Sequence, residues 1–361
     1  MKIAQISPLY ESVPPKLYGG TERVVSYLTE ELVQQGHEVT LFASGDSCTA
    51  AKLISHVDSA LRLNKKVEDS LAHHIVQMKD VAERVHEFDV LHFHTDYLHF
   101  PFSALLKNPH LTTLHGRLDI PDLRYVYHKF GDQPVVSISD AQRKPLQQAN
   151  WLGTIYHGLP VNLYKKGEGN GGYVAFIGRI SREKRPDRAI EIARKAGVKI
   201  KIAAKIDKAD NAYFENEIRH LLDQPHVEFI GEIGEDMKGD FLGNAKALLF
   251  PIDWPEPFGM VLIEAMACGT PVIAYNHGSV PEIICKGESG FIVDHMDDAV
   301  KALENIDLLD RNRVREVFEK RFSARVMAEN YARLYEKLSR KATSIHISTQ
   351  SKEGNLLQLE K

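Results

Sequence analysis

The sequence predicts an α/β protein of two Rossmann-like, doubly wound parallel-sheet domains facing a central cleft. Three observations carry that prediction. Short apolar, β-branched runs alternate with longer amphipathic ones along the chain, the pattern of strand–helix–strand units in a parallel sheet covered on both faces. The alternation halts at a glycine-rich stretch and then restarts. Finally, 361 residues exceed one ordinary core but suit two domains of roughly 150 to 200 residues each.

In the first half, strands are read at Lys2 to Ile6, Val39 to Ala43, Val90 to Phe93, Leu111 to Leu114, Val135 to Ile138 and Thr154 to Tyr156. Between the first two, Glu22 to Gln35 places Val24, Val25, Leu28 and Leu32 near one helical face, with Gly36 where a C-cap falls. A break follows at Gly158-Leu-Pro-Val-Asn162, and the four glycines of Lys165-Lys-Gly-Glu-Gly-Asn-Gly-Gly172 predict a linker. The second set of strands is Tyr173 to Ile177, Val198 to Ala203, Val227 to Ile230, Ala247 to Pro251, Pro271 to Ala274 and Phe291 to Val293. Ser323 is the candidate N-cap of a helix that runs to Arg340. The expected divisions are a domain over 1–165, a second over 166–322, a C-terminal helix over 323–341 packing back on the first domain, and a disordered polar tail over 342–361.

Composition narrows the function classes. Hydrophobic residues make up 43% and charged residues 26%, ordinary for a globular protein, and the formal net charge is −4. Nucleic-acid binding, which rests on clustered Lys and Arg, is not expected. Cys48, Cys268 and Cys285 show no paired or metal-ligand spacing, which suits a reducing, cytoplasmic setting. The chain opens directly on a strand, so no leader peptide is expected. No apolar run approaches the roughly 20 residues that span a bilayer. Peripheral membrane contact needs only a patch and stays open.

The most informative segment is Leu248 to Ala274: a strand ending at Pro251, a loop holding Trp254, two prolines and Gly259, a helix starting near Phe258 to Met260, and a turn at Cys268-Gly269. Ligands of such sheets bind beyond the carboxyl ends of the strands, where this loop lies. A helix N-terminus there offers N–H groups and a positive dipole end to a diphosphate. Glu256 precedes the helix and Glu264 lies more than a turn inside it, so the two carboxylates address different parts of one extended ligand. Arg179 and Lys184 bracket the loop at the carboxyl end of the strand Tyr173 to Ile177, facing the cleft. Gly19 and Gly20 lie between the first strand and the first helix, where backbone can approach a phosphate. A plain tight turn explains those two residues equally well.

The run Glu256-Pro-Phe-Gly-Met-Val-Leu-Ile-Glu264 with its Ala-Met-Ala-Cys-Gly-Thr-Pro continuation resembles the signature of family-four retaining glycosyltransferases (group 1) with the GT-B fold. Gly19-Gly20-Thr21-Glu22, His115-Gly116 and Gly178-Arg179-Ile-Ser-Arg-Glu-Lys184 resemble further motifs of that family in the same order. The resemblance implies a donor site of Gly19, Gly20, Arg179, Lys184, Glu256, Phe258, Gly259, Met260, Val261 and Glu264. Within it Glu256 holds hydroxyls of the donor sugar, Glu264 the ribose, and Arg179 and Lys184 the diphosphate. It also implies a catalytic set of His115, Arg179, Lys184 and Glu256, with His115 beside the donor sugar and the reacting phosphate.

The expected activity is metal-independent transfer of a hexose from a UDP- or GDP-linked donor to a hydroxyl, with retention. The nucleotide-sugar is a substrate, so no cofactor is expected. The acceptor is a carbohydrate, a lipid-linked molecule or a small molecule. It would be held by the loops Tyr10 to Tyr18, Asp96 to Phe102 and Arg117 to Tyr127, with a weak role for Asp96. His92 and His94 share a strand face with Asp96 just beyond, but no second ligand cluster supports a metal site. A nucleotide-sugar epimerase and a catalytically silent nucleotide-sugar-binding protein are the rival readings. A nicotinamide dehydrogenase is disfavoured, because no G-x-G-x-x-G follows Ile6.

Overall fold

The computed structural model describes residues 1–16 and 19–356, with side chains as far as residue 340. Leu17 and Tyr18 of the first acceptor loop, and 357–361 of the tail, lie outside the described residues. The chain divides into two units: Met1–Ile138, Pro145–Ile155 and the stretch from Ala324 on form the first, and Ser139–Lys144 with Tyr156–Ser323 form the second.

The first unit carries seven strands: β1 (Lys2–Ile6), β2 (Glu38–Phe42), β3 (Lys52–Ile54), β4 (Val90–Phe93), β5 (His110–Thr113), β6 (Pro134–Ser137) and β7 (Asn150–Thr154). They form one sheet of order β3-β2-β1-β4-β5-β6-β7, and every pairing is parallel. β1 and β4 are buried almost throughout, as strands covered on both faces must be. Ala4, Ile6, Phe42, Leu91 and Phe93 form one core cluster on that sheet. Helix Gly20–Gln34 buries Val24, Val25, Leu28 and Leu32. It ends in a left-handed Gly36 (φ 84°), after which the His37 amide bonds back to the Leu32 carbonyl.

The second unit carries β8 (Tyr173–Arg179), β9 (Lys199–Lys205), β10 (Val227–Gly231), β11 (Leu248–Phe250), β12 (Val272–Tyr275) and β13 (Gly290–Val293). Their order is β10-β9-β8-β11-β12-β13, again all parallel. Val174, Phe176, Ile200, Ile202, Leu249 and Ile273 fill the core beneath helices Pro186–Lys195 and Met296–Glu304. In each sheet the strand order reverses beside the first strand, between β1 and β4 and between β8 and β11. Crevices for ligands open outside the carboxyl ends of strands at such a switch.

Two sequence expectations change. The stretch Lys165 to Gly172 is no free linker. The amides of Gly167, Gly169 and Gly171 donate to the carbonyls of Cys268, Gly243 and Asn244 at 3.0, 3.0 and 2.9 Å. A Cβ at Gly167 would lie 2.2 Å from the Gly243 oxygen, so that glycine permits close backbone packing. Arg311 clamps the same place, donating to the carbonyls of Gly167 (2.9 Å), Gly243 (2.9 Å) and Ala245 (3.1 Å) and to the Thr270 hydroxyl (2.6 Å). The polar tail expected beyond 341 is helical as far as Leu356, in one helix Ala324–Leu356. No Pro or Gly interrupts it before Gly354, so propagation continues. Among the described residues no helix is long and apolar enough to cross a membrane.

Candidate active site

In the second unit the switch point is flanked by Arg179, the last residue of β8, and by the loop that leaves β11 at Pro251. Arg179 is half-buried and held by carboxylates: its Nη2 donates to Glu183 Oε1 at 2.5 Å, and Asp210 Oδ2 stands 3.5 Å from Nη1. Lys184 follows in a turn closed by its amide on the Ser181 carbonyl. Its ammonium lies 5.0 Å from the Trp254 ring centre and 5.6 Å from that of Phe250, a cation over aromatic faces. It forms an ion pair with Glu256, whose Oε2 also accepts from Trp254 Nε1 at 3.1 Å. The Glu256 side chain is nearly buried. A carboxylate so far out of water needs hydrogen-bond donors such as these two.

The loop is fixed on several sides. The Ser279 amide donates to the Glu256 carbonyl (2.9 Å) and its hydroxyl to that of Phe258 (2.8 Å). Ser139 Oγ donates to the Pro257 carbonyl at 2.6 Å, and Glu282 holds the Asp140 and Ala141 amides of the turn that presents Ser139. Gly278 has φ 57°, and a Cβ there would sit 2.3 Å from the Glu256 oxygen. Gly278→Ala is therefore expected to destabilise the protein by about 2–4 kcal/mol and to displace Glu256. Chemical denaturation measures this, and an unchanged midpoint would show that the loop relaxes freely.

Phe258 and Gly259 are buried, and Gly259 takes φ 80° to turn the chain into helix Met260–Ala267. No described side chain caps this helix. The amides of its first turn, at Met260 and Val261, lack intrahelical acceptors by construction, and both residues are only half-buried. Glu264 is buried further along, where Lys238 Nζ approaches its Oε1 at 2.9 Å and Glu235 Oε2 at 3.4 Å. Lys238 was not picked out from the sequence, and Trp254 was named there only as part of the loop. Trp254 stands two residues before Glu256, a usable signal, whereas nothing in the spacing links Lys238 to Glu264.

The remaining predicted residues belong to the first unit. Gly19 is extended, and a Cβ there would meet Pro15 Cβ at 2.8 Å, so packing requires the glycine. Gly20 opens the first helix, and a Cβ there would meet nothing within 4 Å. Asp96 follows β4 with φ 50°, and its carboxyl, reachable by water but crowded by protein, has its pKa pushed up to about 6. His115 follows β5, where its Nε2 meets His94 Nδ1 at 2.9 Å, and burial pushes its pKa down to about 3. His94 Nε2 meets Gln5 Oε1 at 2.7 Å. His92 spends both ring nitrogens on Tyr335 Oη (2.6 Å) and Thr113 Oγ1 (2.7 Å). With those lone pairs and protons committed, His92 and His94 serve a buried polar network and offer no ligand set.

Two family models match the chain: glycosyltransferase family 4 over residues 18–150 and glycosyl transferases group 1 over residues 164–325. A phosphatidyl-myo-inositol mannosyltransferase of Mycolicibacterium smegmatis is 26% identical, covering 96% of this chain and 97% of its own. Among solved structures, sucrose-phosphate synthase of Thermosynechococcus elongatus superposes with a TM-score of 0.74 at 19% identity, covering 94% of this chain and 99% of its own. The Anabaena protein HepE in complex with UDP and glucose gives 0.70 at 18% identity, over 93% and 99%.

Proposed function

Because this chain belongs to the group 1 glycosyltransferases, with the GT-B fold, we propose that it transfers a hexose from a UDP- or GDP-linked donor to an acceptor hydroxyl, retaining the anomeric configuration and using no metal. The observation that carries this reading is the Lys184–Glu256–Trp254 cluster beside Arg179 at the sheet's switch point. Glu256 enters as a carboxylate committed to two donors, suited to accept hydroxyls of the donor sugar rather than to attack its anomeric carbon. Arg179, Lys184 and the amides of Met260 and Val261 take the charge that builds on the departing diphosphate. With Glu256 given over to the sugar hydroxyls, the acceptor oxygen attacks from the face the phosphate leaves, and that phosphate takes the acceptor's proton. Glu264, positioned by Lys238, takes the ribose hydroxyls. Gly20, where a Cβ would meet nothing within 4 Å, leaves room for a phosphate to approach, while the neighbouring Gly19 is needed for packing on Pro15, and Asp96 is assigned a weak part in holding the acceptor. The acceptor is a carbohydrate, a lipid-linked or a small molecule.

A thermal-shift screen of UDP- and GDP-sugars tests the donor. A donor at about 100 times its Kd is expected to add about 2.7 kcal/mol of stability, and the donor so selected is then assayed with an acceptor panel. A flat response to every UDP and GDP compound would refute the donor assignment. Product formed from donor alone would indicate epimerisation, and a covalent sugar adduct on Glu256 in mass spectra would exclude same-face displacement.

A further inference from the structure

The hydrogen bonds around His115 have directions, and one amide sets them. Gln5 offers an oxygen that only accepts and a nitrogen that only donates. Its Nε2 donates to Tyr335 Oη at 3.1 Å, leaving Oε1 to face His94 Nε2 at 2.7 Å. His94 therefore carries its proton on Nε2, and its Nδ1 is an acceptor. That acceptor lies 2.9 Å from His115 Nε2, which must supply the proton. The Tyr335 hydroxyl, having accepted from Gln5, donates to His92 Nδ1 at 2.6 Å, and His92 Nε2–H then donates to Thr113 Oγ1 at 2.7 Å.

We propose that Gln5 and His94 are positioning residues that hold His115 as its Nε2–H tautomer, with Nδ1 as the unprotonated nitrogen. The assignment rests on the reading that His115 meets the donor, but the tautomer itself follows from the orientation of the Gln5 amide and the bonds it directs. Burial keeps the rings neutral: His92 is held well below the usual histidine range and His115 lies near 3. His115 then neither delivers a proton nor offers charge to a departing phosphate. It meets a ligand as a neutral group whose only N–H points to His94. Tyr335, on the C-terminal helix, holds the other end of the Gln5 amide, its hydroxyl accepting from Gln5 Nε2 at 3.1 Å.

The test is long-range proton–nitrogen NMR on the full chain labelled with ¹⁵N-histidine, His115 being assigned by its missing signals in His115→Gln. The wild type is expected to show His115 protonated at Nε2 near neutral pH. Gln5→Leu should yield a mixture of tautomers, and Gln5→Glu, which keeps an acceptor toward His94, should restore the single form. Tyr335→Phe, which retains the packed ring, should also loosen it, and decides the matter where Gln5→Leu fails to fold. An Nδ1–H tautomer in the wild type, or unchanged spectra in both Gln5→Leu and Tyr335→Phe, would overturn the proposal. In kinetics Gln5→Leu is expected to lose roughly tenfold in kcat, with Gln5→Glu recovering it. The NMR result needs no substrate, so a chain that transfers no sugar would fail the proposed function and leave the tautomer standing.

Discussion

Lys184→Ala is expected to lower kcat by about 10²–10³-fold, the scale seen when one preorganised donor to a developing oxyanion is removed. Lys184 is well placed to deliver an effect of that size. Its ammonium is mostly shielded by the Trp254 and Phe250 rings, so its field is screened less than that of a surface lysine. The same burial raises a complication. Removing the cation leaves the Glu256 carboxylate with Trp254 as its remaining partner in the cluster, a loss of stability that can masquerade as a loss of catalysis. The double variant Lys184→Met/Glu256→Gln separates the two, because it takes out both charges together. Its stability should return toward wild type while transfer stays at or below the rate of Lys184→Ala. Steady-state rates with the donor selected by thermal shift, read beside a denaturation midpoint, give both quantities. Turnover by Lys184→Ala within threefold of wild type would place the diphosphate elsewhere.

Arg311→Ala is expected to cost about 3–5 kcal/mol of stability, in the range for breaking a buried charged network. The guanidinium is half-buried and accepted by the carbonyls of Gly167, Gly243 and Ala245 and the Thr270 hydroxyl. Alanine takes the donors from the carbonyls of Gly167 and Ala245 and leaves a cavity, and glycine backbones at 167 and 243 have no side chains with which to refill it. Lysine should rescue little, since one ammonium cannot reproduce a planar fork of donors. Calorimetry reads the result, and a fall in Tm of under about 2 °C would show the clamp to be dispensable.

These residues also show where sequence reasoning reached its limit. Strands such as Lys2–Ile6 and Val90–Phe93 were legible to the residue, because each is a short run of mainly apolar residues that the fold buries almost throughout. The three-residue strand Lys52–Ile54 went unread: it lies at the sheet edge and is only half-buried, with too little apolar signal. The glycines at 167, 169 and 171 were misread as a linker, since composition looks the same whether glycine serves freedom or close approach. In the site, Arg179, Lys184, Glu256 and Glu264 stood out through their order on strand, loop and helix. Lys238 and Gln5 stayed hidden because their partners lie 26 and 89 residues away, and only folding brings them together.

The C-terminal helix gives the chain an unusual order of completion. Every residue of the second unit precedes Ala324, so on the ribosome that unit is synthesised in full while the first still lacks a piece. The first unit, begun earliest, waits for Tyr331 and Tyr335, whose hydroxyls meet Thr113 and His92. Until they arrive, the face of the sheet that carries His92 has no hydroxyl from that helix to close it. The oldest half of the nascent protein is thus the last to be finished, and it has the longest exposure to chaperones and to misassembly.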